Sequence, residues 1–243
     1  MRRCLFSILL LVGMFSGVRA SCIDPSTLVQ STVGITRYFG EEERQPAPVI
    51  LGVRGSGWFF SSRLIVTAAH VAEAMHLSAT DWKEIEVRQS ESKVSLPTRI
   101  LRVAGSHSEK MAVLELRTAF TGAAALSIRA EPLVPEELVV SLAYPDNQLR
   151  FAEGRFVRYE AEGRLAGAAL LEMHDGNDRL VLDHGASGAP VIDCKGRVVA
   201  VVSTLITQTL RFPSGAVRVS TAWQTPNVLS IPADVLKDFS WSE

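Results

Sequence analysis

The chain predicts an all-β protein of two strand groups, a double β-barrel or a sandwich, followed by a short C-terminal helix. Three observations carry this reading. Short β-branched or alternating runs, bounded by Gly, Pro, Asn, Asp and Ser, fall into two groups on either side of residues 117–137. The stretch between the groups is richer in Ala, Gly and Pro and has no strand period. Near the end, Pro232-Ala-Asp-Val-Leu-Lys-Asp-Phe puts Pro at an early helical position and Val235, Leu236 and Phe239 on one face. Six or seven strands on each side of a linker describe a double barrel, and spacing alone fits a sandwich equally well.

Taken in order, residues 1–20 form a processing segment. Arg2 and Arg3 are a basic start, Leu5 to Phe15 an apolar core, and Val18-Arg19-Ala20 a small-residue cleavage site. The apolar run is short and Gly-interrupted for a membrane span, so export with cleavage after Ala20 is expected, with a retained anchor as the alternative. Arg19-Ala20-Ser21 before Cys22 lacks the apolar residue of a lipoprotein cleavage box. Residues 21–120 form the first barrel, with strands at Val49–Val53, Trp58–Phe60, Leu64–Thr67, Ile85–Arg88, Val94–Val103 and Met111–Leu116. Ala68 to Met75 holds helix formers and no breaker, so a short helix follows the third of these strands. Residues 121–137 link the barrels, and residues 138–243 form the second barrel with its terminal helix. Its strands are expected at Leu138–Tyr144, Arg155–Tyr159, Ala168–Met173, Leu180–Leu182, Pro190–Ile192, Val198–Thr204 and Val217–Trp223.

Composition narrows the function. The 243 residues are 47% hydrophobic and 21% charged, an ordinary globular balance with real cores and no low-complexity tract or obvious repeat. Loss of the leader leaves 22 basic residues against 26 acidic ones, a net charge of −4, and no basic run stands out. Neither nucleic acid nor an anionic membrane surface is therefore an expected partner. Cys4 leaves with the leader, and the remaining even pair in an exported chain, Cys22 and Cys194, reads as one disulfide. There is no His-Glu-x-x-His, no Cys-x-x-Cys and no glycine-rich phosphate loop, so no metal or nucleotide cofactor is implied. Met173-His-Asp-Gly-Asn-Asp178 is oxygen-rich, but Asp-Gly-Asn between strands is first a hairpin turn.

Two segments carry chemistry. His70 closes an apolar strand, and Ser187 sits in the small-residue turn Gly185-Ala-Ser-Gly-Ala-Pro190. A serine hydroxyl is a weak nucleophile until an imidazole takes its proton. A Gly-x-Ser-x-small turn also occurs in α/β-hydrolases, but that fold needs a helix directly after the serine and a histidine later in the chain. Here Pro190 opens a β-branched run, and all five histidines (70, 76, 107, 174 and 184) precede Ser187.

The seventeen residues Gly55-Ser-Gly-Trp-Phe-Phe-Ser-Ser-Arg-Leu-Ile-Val-Thr-Ala-Ala-His-Val71 resemble the histidine segment of trypsin-like serine peptidases, closest to the bacterial HtrA-like branch. Pro190-Val-Ile-Asp-Cys-Lys-Gly-Arg-Val-Val-Ala-Val-Val-Ser203 is similar to the strand–turn–strand after the family's nucleophile, and Asn227 to Leu236 to its last strand and terminal helix. The resemblance spans about residues 45 to 240 and implies a chymotrypsin-like double barrel, two six-stranded antiparallel β-barrels with a short C-terminal helix, without an appended PDZ module. It implies that Ser187 attacks a peptide carbonyl, that His70 shuttles the proton, and that the Gly185 and Ser187 amides hold the oxyanion. It also sets Val181 at the pocket floor, and Ser203 with Leu205 along an edge that pairs with extended substrate. Valine and leucine there imply a shallow pocket for small or aliphatic side chains. His184, three residues before Ser187, is a possible cleft residue or an exposed loop histidine.

The sequence departs from the family pattern at the acid. Members read Asp-[Ile/Leu/Met]-Ala-Val-Leu-x-Leu, whereas this chain reads Lys110-Met-Ala-Val-Leu-Glu-Leu116, with Glu109 one residue earlier. A one-residue shift turns a strand side chain to the opposite face unless a bulge re-aims it. Three readings remain open: a Ser–His pair aided by another carboxylate such as Glu109, a bare dyad with crippled turnover, or a silent relative that keeps the fold for binding.

Overall fold

The computed structural model describes residues 22–43, 51–105, 110–175, 185–205 and 226–239, with backbone only at 204 and 205. Two closed antiparallel barrels account for most of it. The first contains β1 (Thr32–Tyr38), β2 (Gly52–Ser61), β3 (Leu64–Ala68), β4 (Lys83–Gln89), β5 (Ser92–Ala104) and β6 (Met111–Leu116), with helix α1 (Ala69–Ala74) after β3. Its strand order is β1-β2-β3-β6-β5-β4, and it closes where Ile35 on β1 opposes Val87 on β4. The second contains β7 (Leu138–Ala143), β8 (Arg150–Tyr159), β9 (Ala169–His174), β10 (Pro190–Asp193), β11 (Val198–Leu205) and β12 (Val228–Pro232). Its order, β7-β8-β9-β12-β11-β10, repeats the connectivity of the first and closes through Val191 against Ser141. The repeat is one of topology, and no sequence repeat announces it.

Alternation along the strands explains how two barrels share three cores. In β3, which is buried throughout, Ile65 points into the first barrel while Leu64 and Val66 join a cluster between the barrels. In β6, Ala112, Leu114 and Leu116 face inward and Met111 and Val113 face the seam. The second barrel answers with Val140, Leu142, Ile192 and Val201 in the same seam cluster, and with Val139, Val191 and Val202 in its own core. Strands covered on both faces read as continuous apolar runs, which is the pattern of β3, β6 and β11. Bulges recur at matching places. Strands two and three of each barrel slip register at Phe59/Ser61 and Phe156/Arg158, and strands five and six at Ile100/Arg102 and Val202/Thr204. Such bulges turn a sheet around a barrel corner.

Three expectations need correction. Val53 and Trp58–Phe60 do not lie on separate strands: β2 runs through Gly55 and Gly57 without a break, and positions 49 and 50 of the expected first strand lie outside the described residues. A Cβ at Gly57 would press on Ile65 and the Val66 carbonyl, so the glycine allows close approach of β3 rather than ending the strand. β1 was not among the expected strands, and Gly34 lies within it between Val33 and Ile35. The bare backbone there seats the Tyr144 side chain, whose Cβ comes within 3.0 Å and whose ring within 3.1 Å of where a glycine Cβ would lie. The terminal helix is one 3-10 turn, Ala233–Leu236, since Pro232 still belongs to β12. Its apolar face is placed as expected: Leu236 is buried in the seam cluster, with Val235 and Phe239 packed against it. The strands expected at 180–182 and 217–223 lie outside the described residues.

Two straps cross the seam. Phe239 meets Phe60 edge-on at 5.6 Å and lies under the Arg102 guanidinium of the first barrel. At the other end, the 3-10 turn Pro25–Leu28 is capped by Asp24, whose carboxylate accepts the Ser26 amide at 2.9 Å and is held below its usual pKa by that bond. Leu28 buries in the seam cluster, and Cys22 joins Cys194 in the expected disulfide, with Cα atoms 5.2 Å apart.

Candidate active site at the seam

His70 is the second residue of α1 and is exposed, while Ala69, Val71 and Ala72 beside it are buried. The buried residues pin the turn and leave the imidazole outward. The Ala69 amide donates to the Lys110 carbonyl at 2.7 Å, so the backbone of Lys110 abuts the histidine turn and its side chain is exposed. Val71 packs on Gly55, where a Cβ would also approach the Ser187 carbonyl at 3.3 Å. Through Gly55, the histidine turn and the serine turn meet at one point of the seam.

The serine turn is held at three successive carbonyls. The Gly185 carbonyl accepts the Ser56 hydroxyl at 2.7 Å, the Ala186 carbonyl accepts the Ala189 amide at 2.9 Å, and the Ser187 carbonyl accepts the Ser56 amide at 2.8 Å. Gly185 and Gly188 have φ of +97° and +94°, a region in which a Cβ is strained. At Gly188 space forbids it as well, because a Cβ would overlap the Ser56 carbonyl and the Thr67 hydroxyl. Ala186 and Ala189 are fully buried, so the run of small residues is a packing requirement of this turn.

Ser203 lies at the bulge of β11, between the pairs Val202–Ser230 and Thr204–Leu229. Its carbonyl accepts the Ser187 hydroxyl at 2.6 Å. Leu205 ends β11 opposite Val228. Glu109, Val181 and His184 lie outside the described residues. Among the described residues, no three His, Cys, Asp or Glu side chains converge to hold a metal ion.

An electrostatic cluster beyond the serine strand is structural. Burial opposes the Asp193 charge, but the Arg197 amide and guanidinium and the Lys195 amide donate to the carboxylate and hold its pKa below the usual value. Arg129 stands 3.5 Å from Asp193 and also pairs with Glu137, which ties β10 to the segment joining the barrels.

Ser56, Thr67 and Tyr144 are the site residues that sequence reasoning missed. Ser56 and Thr67 lie within the resembling run, where the Thr67 hydroxyl bonds the Ser56 carbonyl, but Ser56 reaches beyond it. The Ser56 hydroxyl bonds a carbonyl 129 positions away, and no local pattern announces such a bond.

Two closed antiparallel barrels of one topology, with a histidine turn on the first facing a glycine-bounded serine turn on the second, define a chymotrypsin-like double barrel. A family model for the trypsin-like peptidase domain matches residues 55–201, and the chain belongs to that family. No curated protein matches it. Among solved structures it is similar to the active form of the Rv3671c protease from M. tuberculosis, at 18% identity over 90% of this chain and 86% of that one, with a TM-score of 0.59. The inactive form matches at 17% identity over 90% and 94%, with a TM-score of 0.57. An inactive serine-to-alanine mutant matches at 17% over 87% and 85%, with a TM-score of 0.55. At these identities the likeness is one of fold.

Proposed function

We propose that this protein is an exported serine endopeptidase that cleaves peptide bonds through an acyl-enzyme on Ser187. The observation that carries the reading is the serine turn itself, with three carbonyls held and a hydroxyl at the seam beside the histidine turn. An extended peptide lies along the Ser203–Leu205 edge of β11. The Ser187 hydroxyl turns from the Ser203 carbonyl to His70, which takes its proton as Oγ bonds to the substrate carbonyl carbon. The carbonyl π electrons move to oxygen, and the Gly185 and Ser187 amides stabilise that oxyanion. The intermediate collapses as the C–N bond breaks and the imidazolium protonates the departing amine. Water, deprotonated by His70, then attacks the ester carbonyl, and the imidazolium protonates the Ser187 Oγ as the ester C–O bond breaks.

Lys110 stands where the family pattern has its orienting acid, and its backbone abuts the histidine turn. Loss of that acid lowers turnover by roughly 10⁴ in this enzyme class, about 5.4 kcal/mol of transition-state stabilisation. The oxyanion amides and substrate binding still contribute, so a slow enzyme is the expected result. Val181 and Leu205 make small or aliphatic side chains the preferred fit. The disulfide accords with an oxidising compartment outside the cytoplasm, reached through the leader at residues 1–20.

A second reading, a silent peptidase-fold protein that binds peptides, is favoured by Lys110 and by the commitment of the Ser187 hydroxyl to the Ser203 carbonyl. Fluorophosphonate labelling of disulfide-intact protein, with Ser187→Ala as control, separates the two. Labelling that vanishes in the control supports the peptidase; a folded protein that never labels supports the binding protein.

A further inference from the structure

The residue that the seam is built around is Ser56. It is fully buried, and every polar atom it owns is used. Its amide donates to the Ser187 carbonyl at 2.8 Å and its carbonyl accepts the Thr67 hydroxyl at 2.7 Å. Its own hydroxyl donates to the Gly185 carbonyl at 2.7 Å and accepts the Tyr144 amide at 2.9 Å. One first-barrel side chain thus joins two backbone segments of the second barrel at the serine turn.

We propose that Ser56 is a positioning residue for the oxyanion site, acting through the Gly185–Ala186 peptide unit; the inference rests on the peptidase reading above. A trans peptide unit is planar, with its N–H opposed to its C=O, so holding the carbonyl holds the whole unit. The Ala186 carbonyl is held by Ala189, which aims the Ser187 amide. The Ser187 carbonyl is held by the Ser56 amide, and the Gly188 amide on the same unit donates to the Val202 carbonyl at 2.7 Å. Only the Gly185–Ala186 unit depends on a side chain. Its neighbour on the N-terminal side is Gly185 itself, at φ +97° and without a Cβ to oppose rotation. Free of the Ser56 hydroxyl, that unit can rotate about the Gly185 Cα–C bond, and the Gly185 amide, which sits on the preceding peptide unit and is joined to this one only through the Gly185 Cα, loses its anchor on that side. The Tyr144 amide fixes the hydroxyl in turn, since it occupies an Oγ lone pair and leaves the proton directed at the Gly185 carbonyl.

The test compares Ser56→Ala, Ser56→Thr and Ser56→Cys with wild-type protein and with Val87→Ala, which loosens the first barrel's own core. Readouts are the fluorophosphonate labelling rate, the kcat and KM for a peptide ester, and amide exchange at Ala186. Removal of an oxyanion donor costs roughly 10²–10³ in rate, so loss of the group that anchors the residue carrying one is expected to slow Ser56→Ala by roughly tenfold to a hundredfold. kcat should fall with KM held, Ala186 exchange should quicken, Ser56→Thr should recover most of the rate, and Val87→Ala should lose stability without losing rate. A folded Ser56→Ala with an unchanged rate, or with its whole loss in KM, overturns the proposal. If Ser56→Ala does not fold, Ser56→Cys replaces it, with a weaker donor at similar volume: an intermediate loss supports the clamp and equal rates overturn it. If wild-type protein does not label, the peptidase reading fails, and Ala186 exchange decides the clamp alone: quickened in Ser56→Ala it stands, unchanged it falls.

Discussion

At the scale of single residues, this site depends as much on side chains that are absent as on those that act. Gly188 is the clearest case, because the two barrels touch through its bare backbone. Gly188→Ala is expected to cost about 1–3 kcal/mol through overpacking, with further strain from the positive φ, and to lower labelling of Ser187 at least tenfold. Equal melting temperatures and labelling rates for variant and wild type would refute this account. Lys110 is the opposite case, a side chain present where its charge does not help an imidazolium. Lys110→Asp is expected to raise the labelling rate, by no more than the roughly 10⁴ attributed to an orienting acid. An unchanged rate would count against the crippled-dyad account. His70 and Ser187 were legible in the sequence because each sits in a distinctive run. Ser56 was not, because its role is defined by the Gly185 carbonyl and Tyr144 amide of the other barrel.

Elements show where local pattern gives way to packing. Reading Gly55 and Gly57 as turn residues splits β2, yet a barrel strand tolerates glycine wherever a neighbour presses close. The second barrel needs a bulge in β11, and the bulge sets the Ser203 carbonyl against the Ser187 hydroxyl. An ion pair ties the turn after β1 to β4. Glu43 accepts both Arg37 Nη2 bonds and the Lys83 ammonium, and these hydrogen bonds, that of Arg37 foremost, hold its pKa at about 2. A carboxylate depressed in the folded state stabilises above its unfolded pKa and loses that contribution as pH falls through the folded value. The Glu43 contribution is therefore complete above about pH 4.5 and lost on acidification towards pH 2. Carboxyl NMR titration should give a Glu43 midpoint near 2 that returns towards 4.5 in Arg37→Ala; a wild-type midpoint near 4.5 would refute the pairing.

For the whole molecule, the governing feature is that two barrels of one topology are joined across a seam by an apolar cluster, two straps and one disulfide. The disulfide closes a loop across 172 positions, and its reduction is expected to lower unfolding stability by roughly 2–5 kcal/mol. Denaturant unfolding of Cys22→Ala/Cys194→Ala beside the oxidised protein measures this, and coincident transitions would show that the strap contributes nothing. By itself the sequence determined the all-β class, the pairing of Cys22 with Cys194, the helix after β3 and the family resemblance around His70 and Ser187. Period, cysteine number and local motif are properties of neighbouring residues, so they can be read in one dimension. It left barrel and sandwich undivided, because strand spacing does not encode which strands pair. Tertiary structure decided the closure of both barrels, the continuity of β2, the strand status of Thr32–Tyr38 and the part played by Ser56. Each of these depends on contacts between residues far apart in the chain, and such contacts exist only once the two barrels have closed and met.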